Sequence, residues 1–388
     1  MERTPEAEIH RRIEVRDPIT FAEFMEVALY HPSGGYYTQD RQDAAHRDYY
    51  TSPSAHPAFS ALIAVHLETM WKVLGEPTPF HVVEMGPGSG LMARDITEYA
   101  RQHLVSFAGA MRYVTMDKAS DGPPRQVVGC VLSNELIDAF PVHRFEIRDG
   151  KLVELFVDVD DDGRFYSVPG EPSTPQLVQR LDKLGLELPD GTRGEINLGI
   201  GEWASQVSEI IERGFVVTID YGHESKELYS PGRSRGTLQT YYKHTSGSSP
   251  YQWIGRQDIT AHVDFTTVIE EGRAVGLKPL YLTTQAEYLN RLGLKVLIDR
   301  LRDRDLPPRD ARANATALRD LVDPNGLGGF KVLIQEKGAG LRDKVGLFPS
   351  RECVRQLPIP LLRADHIPLY EAGYPSERWQ YEASLKDE

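Results

Sequence analysis

At 388 residues, 40% hydrophobic and 26% charged, the chain has the composition of a globular protein with room for two domains or one elaborated domain. A formal net charge of −13 disfavours nonspecific binding to nucleic acid or to an anionic membrane, and no apolar run reaches the ~18 residues of a membrane span. Two cysteines, Cys130 and Cys353, exclude a disulfide framework and give no zinc spacing, so no metal is expected and a reducing, cytoplasmic setting is.

The start, Met1-Glu-Arg-Thr-Pro-Glu-Ala-Glu8, lacks the apolar core of a secretion signal and carries acids foreign to a transit peptide. Residues 1–80 read as mostly helical. Thr20 and Glu23 have capping-box spacing ahead of Phe21, Phe24, Met25, Ala28 and Leu29, an apolar face at helical period. Pro32-Ser-Gly-Gly-Tyr-Tyr37 ends that helix, and its two tyrosines form either a substrate or cofactor lip or ordinary packing. Asp48-Tyr-Tyr-Thr-Ser-Pro53 follows, and Pro57 suits the first turn of a helix carrying Phe59, Leu62, Ile63, Val65 and Met70.

His81-Val-Val-Glu-Met-Gly-Pro-Gly-Ser-Gly-Leu91 reads as a buried strand, a tight glycine turn and a helix N-terminus. Glycines at 86, 88 and 90 allow positive φ and let a ligand approach without meeting a Cβ. The dinucleotide fingerprint G-x-G-x-x-G fails at Leu91, and the lysine of a P-loop is absent. The spacing, with Glu84 two residues before the first glycine, fits the cofactor loop of an S-adenosylmethionine (SAM) methyltransferase; a glycine turn without ligand is the bland alternative. A second strand, Met111-Arg-Tyr-Val-Thr-Met-Asp117, ends in an acid placed either for ribose hydroxyls or for plain solvation. The strand Val127-Val-Gly-Cys-Val-Leu132 runs into Asn134, Glu135 and Asp138, at the carboxyl edge where α/β proteins bind ligands.

From 143 the period changes to alternation with Asp149-Gly150 and Asp162-Gly163 turns, a β insertion over about 143–198 that also holds a helix near 176–186. A helix over 200–213, ended by Gly214, leads to a buried strand closing on Asp220. Residues 223–257 read as a long polar loop, a lid or a disordered excursion. Asp258-Ile-Thr-Ala-His-Val-Asp264 precedes a helix ended by Gly276. A strand over 278–283, a second capping box at Thr284 and Glu287, and a final strand over 330–335 complete the core. Residues 339–388, rich in proline and arginine, are expected to wrap the surface.

Alternating strands and helices after a glycine loop give a doubly wound α/β fold. The series Gly34-Gly-Tyr-Tyr-Thr38, Tyr50-Thr-Ser-Pro53, Glu84-Met-Gly-Pro-Gly-Ser-Gly90, Asn134-Glu-Leu-Ile-Asp-Ala-Phe-Pro141, Ile219-Asp-Tyr-Gly222, Gln257-Asp-Ile-Thr-Ala-His-Val-Asp-Phe265, Thr284-Gln285 and Phe330-Lys-Val-Leu333 resembles the MidA-type SAM-dependent methyltransferases. The resemblance covers about residues 18–338. It implies a Rossmann-like class I methyltransferase sheet: a helical segment at 1–80, a catalytic domain at 81–338 and a C-terminal extension at 339–388. It further implies SAM held by Gly86, Pro87, Gly88 and Gly90, with Glu84 beneath, Asp117 at the ribose, and Tyr37, Thr51, Ser52 and Asn134 contributing. Glu135 and Asn134 would face the reacting sulfonium, with Asp138 and His262 as further catalytic candidates. Asp220 is the alternative carboxylate, and His262 and Asp264 have packed or capping roles as their other reading. The implied acceptor is a protein arginine, as in the family's mitochondrial complex I assembly member, which acts on a respiratory complex subunit, or else a small molecule. The reading from another class is a non-catalytic assembly or scaffold protein that keeps the fold.

One departure stands out. Only residues 118–126 separate the second strand from the Asn-Glu strand, where the family pattern leads one to expect a further helix and strand. Nine extended residues reach ~30 Å, enough to cross two inter-strand gaps of ~5 Å and return along a strand, but not to include a helix. The edge that shelters an adenine must then be covered by the β insertion, by the C-terminal segment or by a second subunit of a homodimer, or SAM binding is weakened.

Overall fold

The structure, a computed structural model, describes residues 4–38, 50–117, 124–242, 245–247, 249–341 and 346–366. The chain divides into two units: Met1–Asp48, Ile137–Glu202 and Gly222–Val268 form one, and Tyr49–Leu136, Trp203–Tyr221 and Ile269–Glu388 the other. These boundaries cut across the three consecutive segments expected from the sequence, because the chain leaves the sheet unit at Leu136 and again after Tyr221.

The second unit carries a six-stranded sheet. Its strands are β1 (Phe80–Met85), β2 (Met111–Met116), β3 (Val127–Asn134), β4 (Ile211–Asp220), β5 (Lys278–Thr284) and β6 (Lys331–Lys337), in the order β5-β6-β4-β3-β1-β2. The first four run parallel, β6 is antiparallel to β4, and β5 is antiparallel to β6. After β1 the chain moves to β2 on one side and then past β1 to β3 on the other, so the strand order reverses at the carboxyl end of β1. The link from β2 to β3 is the short one expected, although residues 118–123 lie outside the described set; among the described residues no strand pairs with the outer side of β2.

Val82, Cys130, Leu132, Phe215, Val217 and Ile219 belong to one core with the helix Ala58–Val73. That helix is buried almost all round, which explains its nearly continuous apolar run. Two glycines make the sheet possible. A Cβ at Gly214 would stand 1.9 Å from Gly129 O, and one at Gly129 would stand 1.9 Å from His81 O. Gly214 is therefore a position of close approach inside β4 and not the helix end expected; the helix stops at Ile210 and the strand begins at Ile211. At Thr284 only half of the expected capping box forms: Thr284 Oγ1 accepts from Glu287 N–H, while the Glu287 carboxylate is taken by the Thr283 hydroxyl. The C-terminal segment does not simply wrap the surface. Leu347, Val354 and Ile359 enter the core, and the helix Arg351–Gln356 forms behind a Ser350 cap.

In the first unit the expected hairpins form as His143–Arg148, Lys151–Val159 and Phe165–Gly170, joined by Arg193–Ile196 and the short strand Ile19–Thr20 in an antiparallel sheet. The Thr20–Glu23 capping box is complete and starts the helix Phe21–Tyr30. Residues 223–257 correct the polar-loop reading. They hold the helix Ser225–Leu228 and the strands Gln239–Tyr242 and Thr245–Gly247, which with Asp258–Thr260 make a three-stranded sheet. The tyrosines there are packing groups: Tyr229 and Tyr241 are buried, and Tyr229 donates to Glu195 O at 2.9 Å. Among the described residues no helix is long and apolar enough to cross a membrane.

Candidate active site

The sheet unit assembles most of the sequence-predicted cofactor residues at the carboxyl ends of β1, β2 and β3. The register pairs Met85 with Met116 on one side and with Ser133 on the other, so Gly86, Asp117 and Asn134 stand side by side at three adjacent strand ends. Gly86, Gly88 and Gly90 all take left-handed φ, at 68°, 52° and 73°. Glycine adopts that region at no steric cost, whereas a side chain is strained there. Gly86 N–H donates to Met116 O at 2.8 Å, tying the turn to β2, and Gly90 caps the helix Leu91–His103. The exposed Asp117 follows directly, beside that tie.

The residues present fit a cofactor at this turn. A Cβ built on Gly88 or Gly90 meets nothing within 4 Å, so at these two positions the chain keeps open the space a side chain would fill. Asn134 Oδ1, by contrast, is buried without a hydrogen-bond partner, while its Nδ2 donates to Glu135 Oε1 at 3.1 Å. A buried amide oxygen left unpaired is costly, and a ligand donor would relieve it. Glu84 is buried at the end of β1, where Tyr113 Oη donates to its carboxylate at 2.9 Å. Burial pushes the Glu84 carboxyl up to about 7, only partly opposed by the Tyr113 hydrogen bond.

Glu135 adopts φ 51°, a left-handed conformation that costs a non-glycine residue about 1–3 kcal/mol. Its N–H donates to Ile219 O at 2.8 Å, and the next N–H, of Leu136, donates to Asp220 Oδ2 at 3.2 Å. Asp220 is wholly buried and also accepts from Tyr221 N–H at 2.9 Å. Its carboxylate thus holds the Glu135 turn from behind.

Thr51 and Ser52 lie in the same unit, each with a structural partner of its own. Thr51 precedes the short helix Ser52–Ala55, and the fully buried Ser52 donates its hydroxyl to Gln285 Oε1 at 2.9 Å. That bond also explains why a Thr-Ser-Pro stretch and a distant Thr-Gln pair occur together. Tyr37, Asp138 and His262 belong to the first unit. There Tyr37 is 45% exposed and stacks on Tyr30 with ring centroids 5.5 Å apart. Asp138 is buried, its carbonyl accepts from Ala261 N–H at 3.0 Å, and the His262 ring lies 5.4 Å from that of His223. Asp264 has the capping role: its carboxylate accepts from Thr266 and Thr267 N–H and from the Ser225 hydroxyl. Tyr113 and Leu136 are the site residues that sequence reasoning missed. Tyr113 acts from the neighbouring strand and Leu136 from a turn packed on Gly86, and no linear pattern signals either contact.

A sequence profile described as "Putative S-adenosyl-L-methionine-dependent methyltransferase" (Methyltransf_28) matches residues 62–126 and 116–283, more than half of the chain. The protein arginine methyltransferase NDUFAF7 homolog of Drosophila melanogaster is 30% identical over 302 residues, 65% of this chain and 66% of the fly protein. Mitochondrial NDUFAF7 of Rattus norvegicus is 26% identical over 353 residues, 76% of each chain. A crystal structure of a COG1565 superfamily member from Burkholderia thailandensis, bound to S-adenosyl-homocysteine, superposes with a TM-score of 0.74 at 27% identity. It covers 87% of this chain and 92% of its own.

Proposed function

The chain belongs to this family of S-adenosyl-L-methionine-dependent methyltransferases, and from that premise we propose that its methyl acceptor is a protein arginine gripped by Glu135. The rat and fly relatives carry the name of protein arginine methyltransferases, which supports the acceptor class. The observation that carries the role of Glu135 is its left-handed φ of 51° at the carboxyl end of β3, next to the strand that delivers the glycine loop. A glycine would sit there without strain, so the chain keeps a carboxylate where the backbone is least suited to one.

Bound SAM supplies a methyl carbon already activated by its sulfonium. The backbone of 86–90 would cradle the cofactor, with Asp117 toward its ribose hydroxyls and Asn134 Oδ1 accepting from a polar hydrogen. Glu135 accepts two parallel N–H bonds from a guanidinium and fixes its plane. That orientation leaves the remaining nitrogen directed away from the carboxylate, and alignment of reacting atoms at about 3–3.5 Å is the chief demand of a displacement. Arginine holds its proton to a pKa above ~12, so each new N–C bond is accompanied by loss of one proton from the attacking nitrogen to solvent, while the guanidinium charge stays paired with Glu135.

The test is turnover of labelled SAM with arginine-containing peptides and, in parallel, guanidino metabolites. Glu135→Gln should reduce turnover by about 10²-fold and leave affinity for S-adenosyl-homocysteine within a few-fold. Unchanged turnover would remove Glu135 from the role; methylation of the metabolites alone would make the acceptor a small molecule.

A further inference from the structure

The first glycine of the loop packs against Leu136, a half-buried residue of the turn that follows β3. A Cβ built on Gly86 would lie 2.7 Å from Leu136 Cδ1, so Leu136 closes the floor under the first glycine. Leu136 is itself fixed through its backbone: its N–H donates to Asp220 Oδ2, and Asp220 stands wholly buried at the last position of β4. The same carboxylate accepts from Tyr221 N–H. The turn it holds contains the strained Glu135, and a segment in a disfavoured conformation keeps its shape only when its surroundings over-determine it.

We propose that Asp220 is a positioning residue for the cofactor, acting through Leu136 on the height of the loop at Gly86. Bonds from N–H groups to an ionised carboxylate are roughly twice as strong as neutral ones, which suits a buried anchor. An asparagine at 220 accepts through one oxygen only and sets its NH₂ against the other amide hydrogen, so one of the two restraints is lost. The inference rests on the glycine loop being the cofactor's cradle and is independent of the methyl acceptor.

The experiment is a calorimetric double-mutant cycle with S-adenosyl-homocysteine as the probe, with melting temperatures for each protein. Asp220→Asn and Leu136→Ala should each weaken binding by about tenfold or more. In the Leu136→Ala background, Asp220→Asn should weaken it by less than about threefold further, because the side chain that transmits the restraint is gone. A merely structural Asp220 would lower the melting temperature and leave affinity unchanged, or its loss would multiply with that of Leu136→Ala; either result overturns the proposal. Should Asp220→Asn fail to fold, Leu136→Ala keeps the buried carboxylate intact, and wild-type affinity in that variant is itself contrary. No binding by the wild type would overturn the cradle reading and this proposal together, whereas equal binding by wild type and Asp220→Asn overturns the proposal alone.

Discussion

Glu84 shows how one side chain links the cofactor strand to pH. Its carboxyl is raised from 4.5 to about 7 chiefly by burial. The folded protein therefore binds this proton more tightly than the unfolded chain does. The resulting contribution is fully present below about 4.5, is lost as pH rises toward 7, and is constant above that. Glu84→Gln keeps an acceptor for Tyr113 Oη and removes the titration. The variant should gain on the wild type by about 2–3 kcal/mol between these limits, read as the difference between urea-unfolding curves at pH 4.5 and pH 8. A difference that does not change with pH would show that Glu84 is solvated like a surface carboxylate. At this scale the sequence was informative where backbone conformation restricts residue type. Three glycines at alternate positions announce three left-handed residues, and all three are present. It was silent on Tyr113, because a partner on the neighbouring strand is chosen by register, and on the inward turn of Ser52, because that depends on Gln285 more than two hundred residues away.

Among the elements, the C-terminal segment is attached to the helix Leu91–His103 that follows the glycine loop. Asp95, almost wholly buried on that helix, pairs with His366 at 2.7 Å and with Arg363, which also reaches Glu98. Removing Asp95 leaves the wholly buried His366 ring without this partner and takes one of two carboxylates from Arg363, which keeps Glu98. Asp95→Ala should cost about 3 kcal/mol of stability and release amide protection across 351–366, both measurable by hydrogen exchange under denaturant. Unaltered protection there would mean that Leu347, Val354 and Ile359 hold the segment without the charges. Neither this attachment nor the folded lobe at 223–257 was legible. Proline and arginine without a period, and tyrosines among glycines and serines, look like surface when each stretch is read alone. They become core only through partners supplied by remote segments: Asp95 lies 271 residues from His366, and Glu195 lies 34 from Tyr229. Strands and hairpins read correctly because alternation and Asp-Gly turns are local properties.

For the whole molecule, the sheet was predictable because short connections and a fixed crossover hand leave few topologies. The brevity of the link after Asp117 pointed to a sheet whose described edge is β2, as found. The division into two units was legible in part: the β insertion read over about 143–198 lies within Ile137–Glu202, whereas nothing local announced that Met1–Asp48 and Gly222–Val268 join it in one unit. S-adenosyl-homocysteine is expected to occupy the turn at 86–90. Hydrogen exchange with and without saturating S-adenosyl-homocysteine tests it most directly, with Gly88→Val as the control: a Cβ at 88 meets no protein atom but is strained at φ 52°, so the variant's melting temperature is read alongside to show that its fold is kept. The wild type should gain protection at 84–91, 116–117 and 134–136, and the variant should gain none. Protection confined to other segments, or equal in the two proteins, would place the cofactor elsewhere.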